Sequence, residues 1–229
     1  MMNLVVRHYD EDLRWLKKVP ATFRVTIYSK GDAPDISFLE QEPVVINLPN
    51  VGREAHTWLA YLKEHVHNPA ELTVFLQGRP FDHCHDTHHR LKAIASGDYS
   101  IPESGFDWWG FIIETDDPMG RRVFVPWSKN EDDRELDIGK RYSAVFGKPG
   151  PECYRFYPGG QFVVSADAVR RNTAEFYAQA RQLLEQDEDA AYCLERFWDR
   201  LFGVEAVNEE MMGGEETVYL KKIRRLEND

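Results

Sequence analysis

The chain has 229 residues, 42% of them hydrophobic, enough to bury a full core in one domain. Thirty-nine acidic side chains against 28 basic ones leave a formal net charge of −11, which excludes a general electrostatic hold on nucleic acid or anionic lipid. No apolar run approaches the roughly 18 residues that a bilayer span needs, and the first strand starts too early to leave room for a signal peptide. Cys84, Cys153 and Cys193 are odd in number and far apart, so free thiols, a cytoplasmic location and no transmembrane segment are expected.

Residues 3–8, Asn-Leu-Val-Val-Arg-His, read as a strand, and Asp10 to Lys18 as a helix with Leu13 and Leu16 at helical spacing beside Trp15, closed by Pro20. Thr22 to Tyr28 alternates Phe23, Val25 and Ile27 with more polar neighbours, Ser29-Lys30-Gly31 turns out of it, and Val44 to Leu48 makes a third strand. Leu48-Pro49-Asn50-Val51-Gly52-Arg53-Glu54 then switches to a helix with Ala55, Leu59, Leu62 and Val66 on one stripe and Asn50 as its expected N-cap. Leu72 to Leu76 carries no charge and reads as a buried strand, broken at Gln77, Gly78 and Pro80. This order predicts an α/β fold, a Rossmann-like open mixed sheet with flanking helices.

Further along, Asp107 to Ile113 reads as a strand that Arg122 to Trp127 can pair with, and Lys129 to Lys140, rich in acidic residues, as a solvated loop. Tyr154 to Ser165 joins a Pro-Gly-Gly turn to the apolar Phe162-Val163-Val164. Helices are expected from about Ala166, over Ala174 to Leu184 and over Glu188 to Phe202. The last places Ala191, Leu194, Phe197, Trp198, Leu201 and Phe202 on one stripe, with Glu195 at its edge and Arg196 and Arg200 pointing away. From Glu205 the chain is polar, with Val218 to Ile223 able to dock as a final element.

Chemistry-capable residues concentrate just past Leu72 to Leu76, where ligands bind in open α/β sheets. Asp82, His83, Cys84, His85, Asp86, His88 and His89 follow within a few residues. Asp82 with His83 or His85 can hold a single divalent metal, or the segment is a surface loop that happens to be rich in histidine. The HxHxDH pattern of metallo-β-lactamase-type hydrolases is approached but broken, since Thr87 stands where the aspartate belongs and no histidine follows His89. Gly52 and Arg53 at a helix start after a strand suit an anion, with His56 on the same face; a solvated surface arginine is the plainer reading. Trp108, Trp109 and Trp127 can stack on a sugar or pack in the core. Glu195, beside Trp198, is the carboxylate best placed to act as a general base, or is an ordinary helix-edge glutamate. No phosphate loop or dinucleotide fingerprint is present.

Arg7-His8-Tyr9 with Glu11-Asp12-Leu13, Ile27-Tyr28-Ser29-Lys30-Gly31, Asn50-Val51-Gly52-Arg53-Glu54, Val74-Phe75-Leu76-Gln77-Gly78, Gly160-Gln161-Phe162 and Leu194-Glu195-Arg196 together resemble the family called domain of unknown function 3431, over most of residues 3–203. Its motif order is similar to that of A-type-fold glycosyltransferases. That resemblance implies a nucleotide-binding-like half over about residues 1–90, an acceptor-side half over about 91–203, and a polar tail at 204–229, all in a single domain spanning 1–229. It implies a glycosyltransferase-like enzyme with a nucleotide-sugar donor and an acceptor, the donor held by His8, Tyr9, Asn50, Arg53, Gln77 and Gln161 and the reaction served by Glu195. Gln77-Gly78 stands where the DxD metal motif of such enzymes is expected, so manganese or magnesium would rest on Asp82, His83 and His85, or the phosphates on Arg53. A non-catalytic sugar- or nucleotide-binding module on the same fold is the alternative, and a metal-dependent hydrolase using the His-rich loop a further one.

Overall fold

The computed structural model describes residues 2–121 and 135–220. The pairing expected of Arg122 to Trp127, the Trp127 indole, the first half of the acidic stretch from Lys129 and the end of Val218 to Ile223 lie outside the described residues. Strand β1 (Met2–His8) runs parallel to β2 (Phe23–Ser29), which runs parallel to β3 (Val44–Asn47). Helix α1 (Arg53–His65) returns the chain to β4 (Leu72–Gln77), parallel to β1 on its other side. After a single 3-10 turn at Pro80–Asp82 and helix α2 (Thr87–Ser96), β5 (Phe106–Trp108) forms the far edge of the sheet and β6 (Ile112–Asp116) leaves it. Then come α3 (Ile138–Phe146), β7 (Tyr154–Phe156) and β8 (Phe162–Ser165), which inserts antiparallel between β4 and β5. Short α4 (Ala166–Val169), long α5 (Ala174–Gln186), α6 (Ala190–Glu195), α7 (Trp198–Leu201), α8 (Glu209–Met212) and β9 (Thr217–Tyr219) follow.

The main sheet is thus mixed and six-stranded, in the order β3-β2-β1-β4-β8-β5, and β7-β6-β9 make a small antiparallel sheet. Side chains alternate across the main sheet, so its strands feed two cores. On one face Val5, Phe75, Phe106 and Phe162 meet Trp58, Leu59 and Leu62 of α1 and, beyond them, α5 to α7. On the other, Leu4, Val6, Ile27, Val74, Leu76 and Val163 meet Leu13 and Leu16 and, from α2, Leu91 and Ile94. Phe162 is the hub of the first core: its ring lies 4.9 Å from that of Phe75, 5.2 Å from Phe106 and 5.3 Å from Trp198.

Several sequence expectations change. Asp10 to Lys18 contains a 3-10 helix, Leu13–Lys18, capped by Asp12, whose carboxylate accepts from Arg14 N at 2.9 Å. The helix after β3 is entered not from Asn50 but through Gly52 and Arg53, at φ +59° and +50°. Asp107 to Ile113 is not one strand. The chain switches sheets at Gly110, where even a Cβ would lie 2.8 Å from the Tyr157 ring. Glu188 to Phe202 is not one helix either, because Phe197 adopts φ −143° and ψ 32° between α6 and α7. This turns Arg196 inward, against the expectation that it points away, and leaves it 4% exposed. Trp108 and Trp109 are buried, in keeping with the core-packing reading of these tryptophans rather than the sugar platform. The stretch from 204, read as a polar tail, adds α8 and, through Val218 in β9, a third strand to the small sheet. No helix among the described residues is long and apolar enough to cross a membrane.

Replacing Phe162 by alanine removes a ring at the meeting point of five aromatic neighbours, and the expected cost is about 3–5 kcal/mol of folding stability. Urea unfolding should show a lower midpoint at an unchanged slope. A loss below about 1 kcal/mol would mean that the core collapses around the gap and that the ring is no hub.

Candidate functional site

From β1 the sheet grows outward through β2 to β3, and the chain then crosses back by α1 to β4 on the other side. The carboxyl ends of β1 and β4 therefore flank the point where strand order reverses, the usual ligand crevice of an open α/β sheet. His8, Ser29 and Gln77 end their strands there, with His8 opposite Ser29 and Arg7 opposite Gln77 in register.

The loop after β1 is organised by Glu11. One oxygen accepts from Arg7 Nη1 at 2.6 Å and the other from Tyr9 N at 2.6 Å. The same carboxylate lies against Gly78, whose carbonyl accepts the Trp15 indole N–H at 2.7 Å. Tyr9 is exposed beside the Arg7 guanidinium. His8 is buried, its Nδ1 3.1 Å from Ser29 Oγ, and burial holds its imidazole below the usual range.

At the entry to α1, buried Lys30 donates to the carbonyls of Val51 and Arg53 and so fixes the strained turn. Burial, with Arg7 adding to it and Glu54 opposing, lowers the Lys30 ammonium to about 7. Arg53 reaches outward: Nη1 donates to Tyr192 Oη at 3.1 Å and the guanidinium lies over that ring. It borders an open cleft of about 910 Å³ lined also by Asn50, Glu185, Asp187 and Glu188. His56, expected on the same face, is buried and does not itself line the cleft; it pairs at 3.1 Å with Glu185, which does. Glu54 turns the other way and is 6% exposed. Burial pushes its carboxyl up; the Arg53 guanidinium pulls it partly back and the Glu195 charge adds to the rise.

The turn before β8 closes the site. Gly159 and Gly160 have φ of +96° and +58°, and a side chain at Gly159 would collide with the His83 ring. Gly159 N donates to Glu195 Oε1 at 2.5 Å, while Arg196 Nη1 donates to Oε2 at 2.7 Å. Arg196 is in turn paired with buried Asp116 of the small sheet at 3.2 Å. Gly160 O accepts the Trp58 indole N–H at 3.0 Å, and a Cβ on Gly160 would lie 3.6 Å from Glu54 Oε1. One dipeptide thus has two carboxylates close to it, Glu195 from α6 and Glu54 from α1.

Of the residues expected from sequence, His8 and Gln77 end β1 and β4, Tyr9 follows β1 exposed, Glu195 meets the Gly159 turn and Arg53 borders the open cleft. Asn50 stays exposed on the cleft side. Gln161 is fully buried, its Oε1 accepting from Gln77 N at 3.2 Å and its Nε2 donating to Pro80 O at 3.1 Å. Both ends of the amide are taken by backbone, so it fastens β4 to β8. Asp82, His83 and His85 have separate partners: Arg79 at 3.5 Å, the Gly159 turn and the Phe111 ring. Among the described residues no three His, Cys, Asp or Glu side chains stand close enough to hold a metal ion. Asp82, His83 and His85 therefore do not converge as a ready-made ligand set among the described residues. Sequence reading passed over Arg7, Glu11, Lys30 and Glu54, although all four stand in the motifs that carry the family resemblance.

A family model described as "Protein of unknown function (DUF3431)" matches residues 4–213. No curated protein matches the chain.

Lys30 gives a measurable pH dependence. It holds its proton less tightly in the folded chain, at about 7, than an exposed lysine does at about 10.4. Between those values the unfolded chain binds the extra proton, so stability rises with pH, by up to roughly 1.4 kcal/mol per unit, from a deficit that is complete below about pH 7. Lys30→Met should lack that rise. Urea unfolding of both proteins from about pH 6 to about pH 9 should show the wild type gaining on the variant, and parallel profiles would remove Lys30 as a buried cation.

Proposed function

We propose that this chain, which belongs to the family described as protein of unknown function (DUF3431), is a glycosyltransferase-like enzyme that takes a sugar from a nucleotide-sugar donor. The observation that carries the reading is the gathering of Arg7, Lys30, Arg53, Glu54 and Glu195 at the strand-order reversal between β1 and β4. The mixed six-stranded sheet with helices on both faces supports the likeness to the A-type glycosyltransferase fold. On this reading Tyr9 offers an exposed ring to the donor's base, and His8 and Gln77 shape the floor. Arg53, with Arg7 behind it, neutralises the diphosphate. Asn50 and Gln161 act from farther back, one on the rim and one as a fastening.

The chemistry follows from the site's own groups. An acceptor hydroxyl oxygen attacks the sugar's anomeric carbon, and the bond from that carbon to the diphosphate breaks with its electrons passing to the phosphate oxygen. Glu195 takes the hydroxyl proton. Hydrogen bonds from Gly159 N and Arg196 orient the carboxylate, and an acceptor-only group of this kind has lone pairs left for a third partner. Fixed guanidinium groups meet the charge that develops on the leaving diphosphate. Gln77-Gly78 in place of a paired-carboxylate motif favours the second reading, a module on the same fold that binds the nucleotide without turning it over.

Thermal unfolding against uridine, guanosine, adenosine and cytidine diphosphates and their sugar conjugates, with and without manganese, tests the proposal. A nucleotide at about a hundred times its dissociation constant adds about 2.7 kcal/mol, roughly 5 to 10 °C for a chain of this size. A shift selective for one base supports the donor site, and release of diphosphate from its sugar conjugate separates the enzyme from the binding module. A chain that no nucleotide shifts is not a nucleotide-sugar enzyme.

A further inference from the structure

The start of β2 borders a cavity that the reaction outlined above does not use. β2 begins at Phe23 but β3 joins it only at Thr26, so among the described residues Phe23 to Val25 have no strand beside them on that side. The connection between the two strands and the end of the 3-10 helix Leu13–Lys18 wall a cavity of about 350 Å³ against this stretch. Leu16 and Val19, Phe23 and Val25, and Phe38 and Leu39 of the connection supply its apolar walls. Leu16 and Phe23 are buried in the second core, and the other four pack half-buried against it. Three backbone N–H groups of this wall are already spent: Val19 N donates to Leu16 O at 3.0 Å, Phe23 N to Pro20 O at 3.1 Å and Leu39 N to Ile36 O at 3.0 Å. The cavity lies at the start of β2 and the crevice at its end, roughly 20 Å apart along the strand.

A concave space of this size, with apolar walls and few polar side chains, is the usual form of a small-molecule site. Its charge stands at the edge. Lys17, in the last turn of the helix, lines the cavity; its ammonium lies 5.3 Å from the centre of the Phe38 ring and has no ion-pair partner among the described residues. The other polar side chains are Glu40 and Gln41, and Glu40 is exposed, so water weakens its repulsion of an anion held at Lys17. An apolar chain that ends in an anion therefore matches walls and edge together. At roughly 30 Å³ for each water-sized group, the space takes a chain of about ten carbons. We propose that this cavity is a second binding site, for a single-chain alkyl carboxylate of that length, with the chain against Leu16, Phe23 and Phe38 and the carboxylate at Lys17. It stands independently of the nucleotide-sugar reading.

The test is calorimetric titration with hexanoate, octanoate and decanoate, below the concentrations at which they form micelles. One molecule should bind per chain, and affinity should rise about fourfold for each added methylene, the factor that burying one gives. Lys17→Gln should weaken decanoate about twofold to fivefold, the range for an exposed charge, and leave decanol binding unchanged. Ala21→Phe places a ring at an exposed position of the wall and should abolish binding of every chain while circular dichroism shows the fold intact. No saturable binding, an affinity indifferent to chain length, or decanoate binding undiminished in Ala21→Phe overturns the proposal. Decylamine bound as tightly as decanoate assigns the edge to Glu40 and overturns it as well. Binding to phosphatidylglycerol vesicles without binding to free decanoate marks a membrane-facing surface and has the same consequence. If Ala21→Phe does not fold, the chain-length series and Lys17→Gln decide the matter.

Discussion

The crevice depends on one buried amide. β8 runs against β4, and nothing in the ladder itself holds the chain ends together beyond Phe75 and Phe162. Gln161 does so with its side chain, joining Gln77 N to Pro80 O, while its own carbonyl accepts from Trp109 N at 2.8 Å. Three chain segments meet at a residue with no solvent exposure. A buried amide missing either partner would bear an uncompensated desolvation cost of about 1–3 kcal/mol per group, so the three segments are held in one arrangement. That arrangement brings the Gly159–Gly160 turn back over the ends of β1 and β4.

A second link runs from the small sheet. Asp116 of β6 pairs with Arg196, and Arg196 with Glu195, all at or below the surface. Arg196 also lies over the Phe156 ring and donates to Tyr192 O at 2.8 Å. Burying such a pair gains little net stability, because desolvation offsets most of the attraction, but removing one partner is costly. Its effect is geometric. The guanidinium ties Glu195 to a strand outside the main sheet, so the carboxylate's direction is set by both sheets at once.

Much of this architecture was legible in the sequence where burial is periodic. β1, β2, β4 and β8 lie in the expected apolar runs, and α1 and α5 follow their stripes, because an element buried on a fixed face must repeat at its own period. What escaped was decided by tertiary contact. The break at Phe197 leaves the apolar stripe intact on both sides, so the periodicity of Glu188 to Phe202 gave no sign that Arg196 would turn inward. Helix α2 buries only Thr87, Leu91 and Ile94, too sparse a pattern to stand out behind a run of histidines. Asp107 to Ile113 changes sheets without leaving an apolar composition. At the candidate site, the same reasoning pointed to Glu195 and Arg53 and passed over Glu54. A glutamate in a helix's first turn reads as an ordinary favourable charge until its burial beside the Gly160 turn is seen.

The outer strand β3 has a different consequence. It is four residues long, its Val44 and Val45 side chains stand 38% exposed, and among the described residues no strand covers its outer edge. An open row of backbone donors and acceptors flanked by β-branched side chains is a template on which another chain can add itself. Pro43 stands immediately before the strand and Pro49 two residues past its end, and a proline offers no N–H to a neighbouring strand. The two prolines thus act as stops at either end, limiting the length of edge that another strand could pair with.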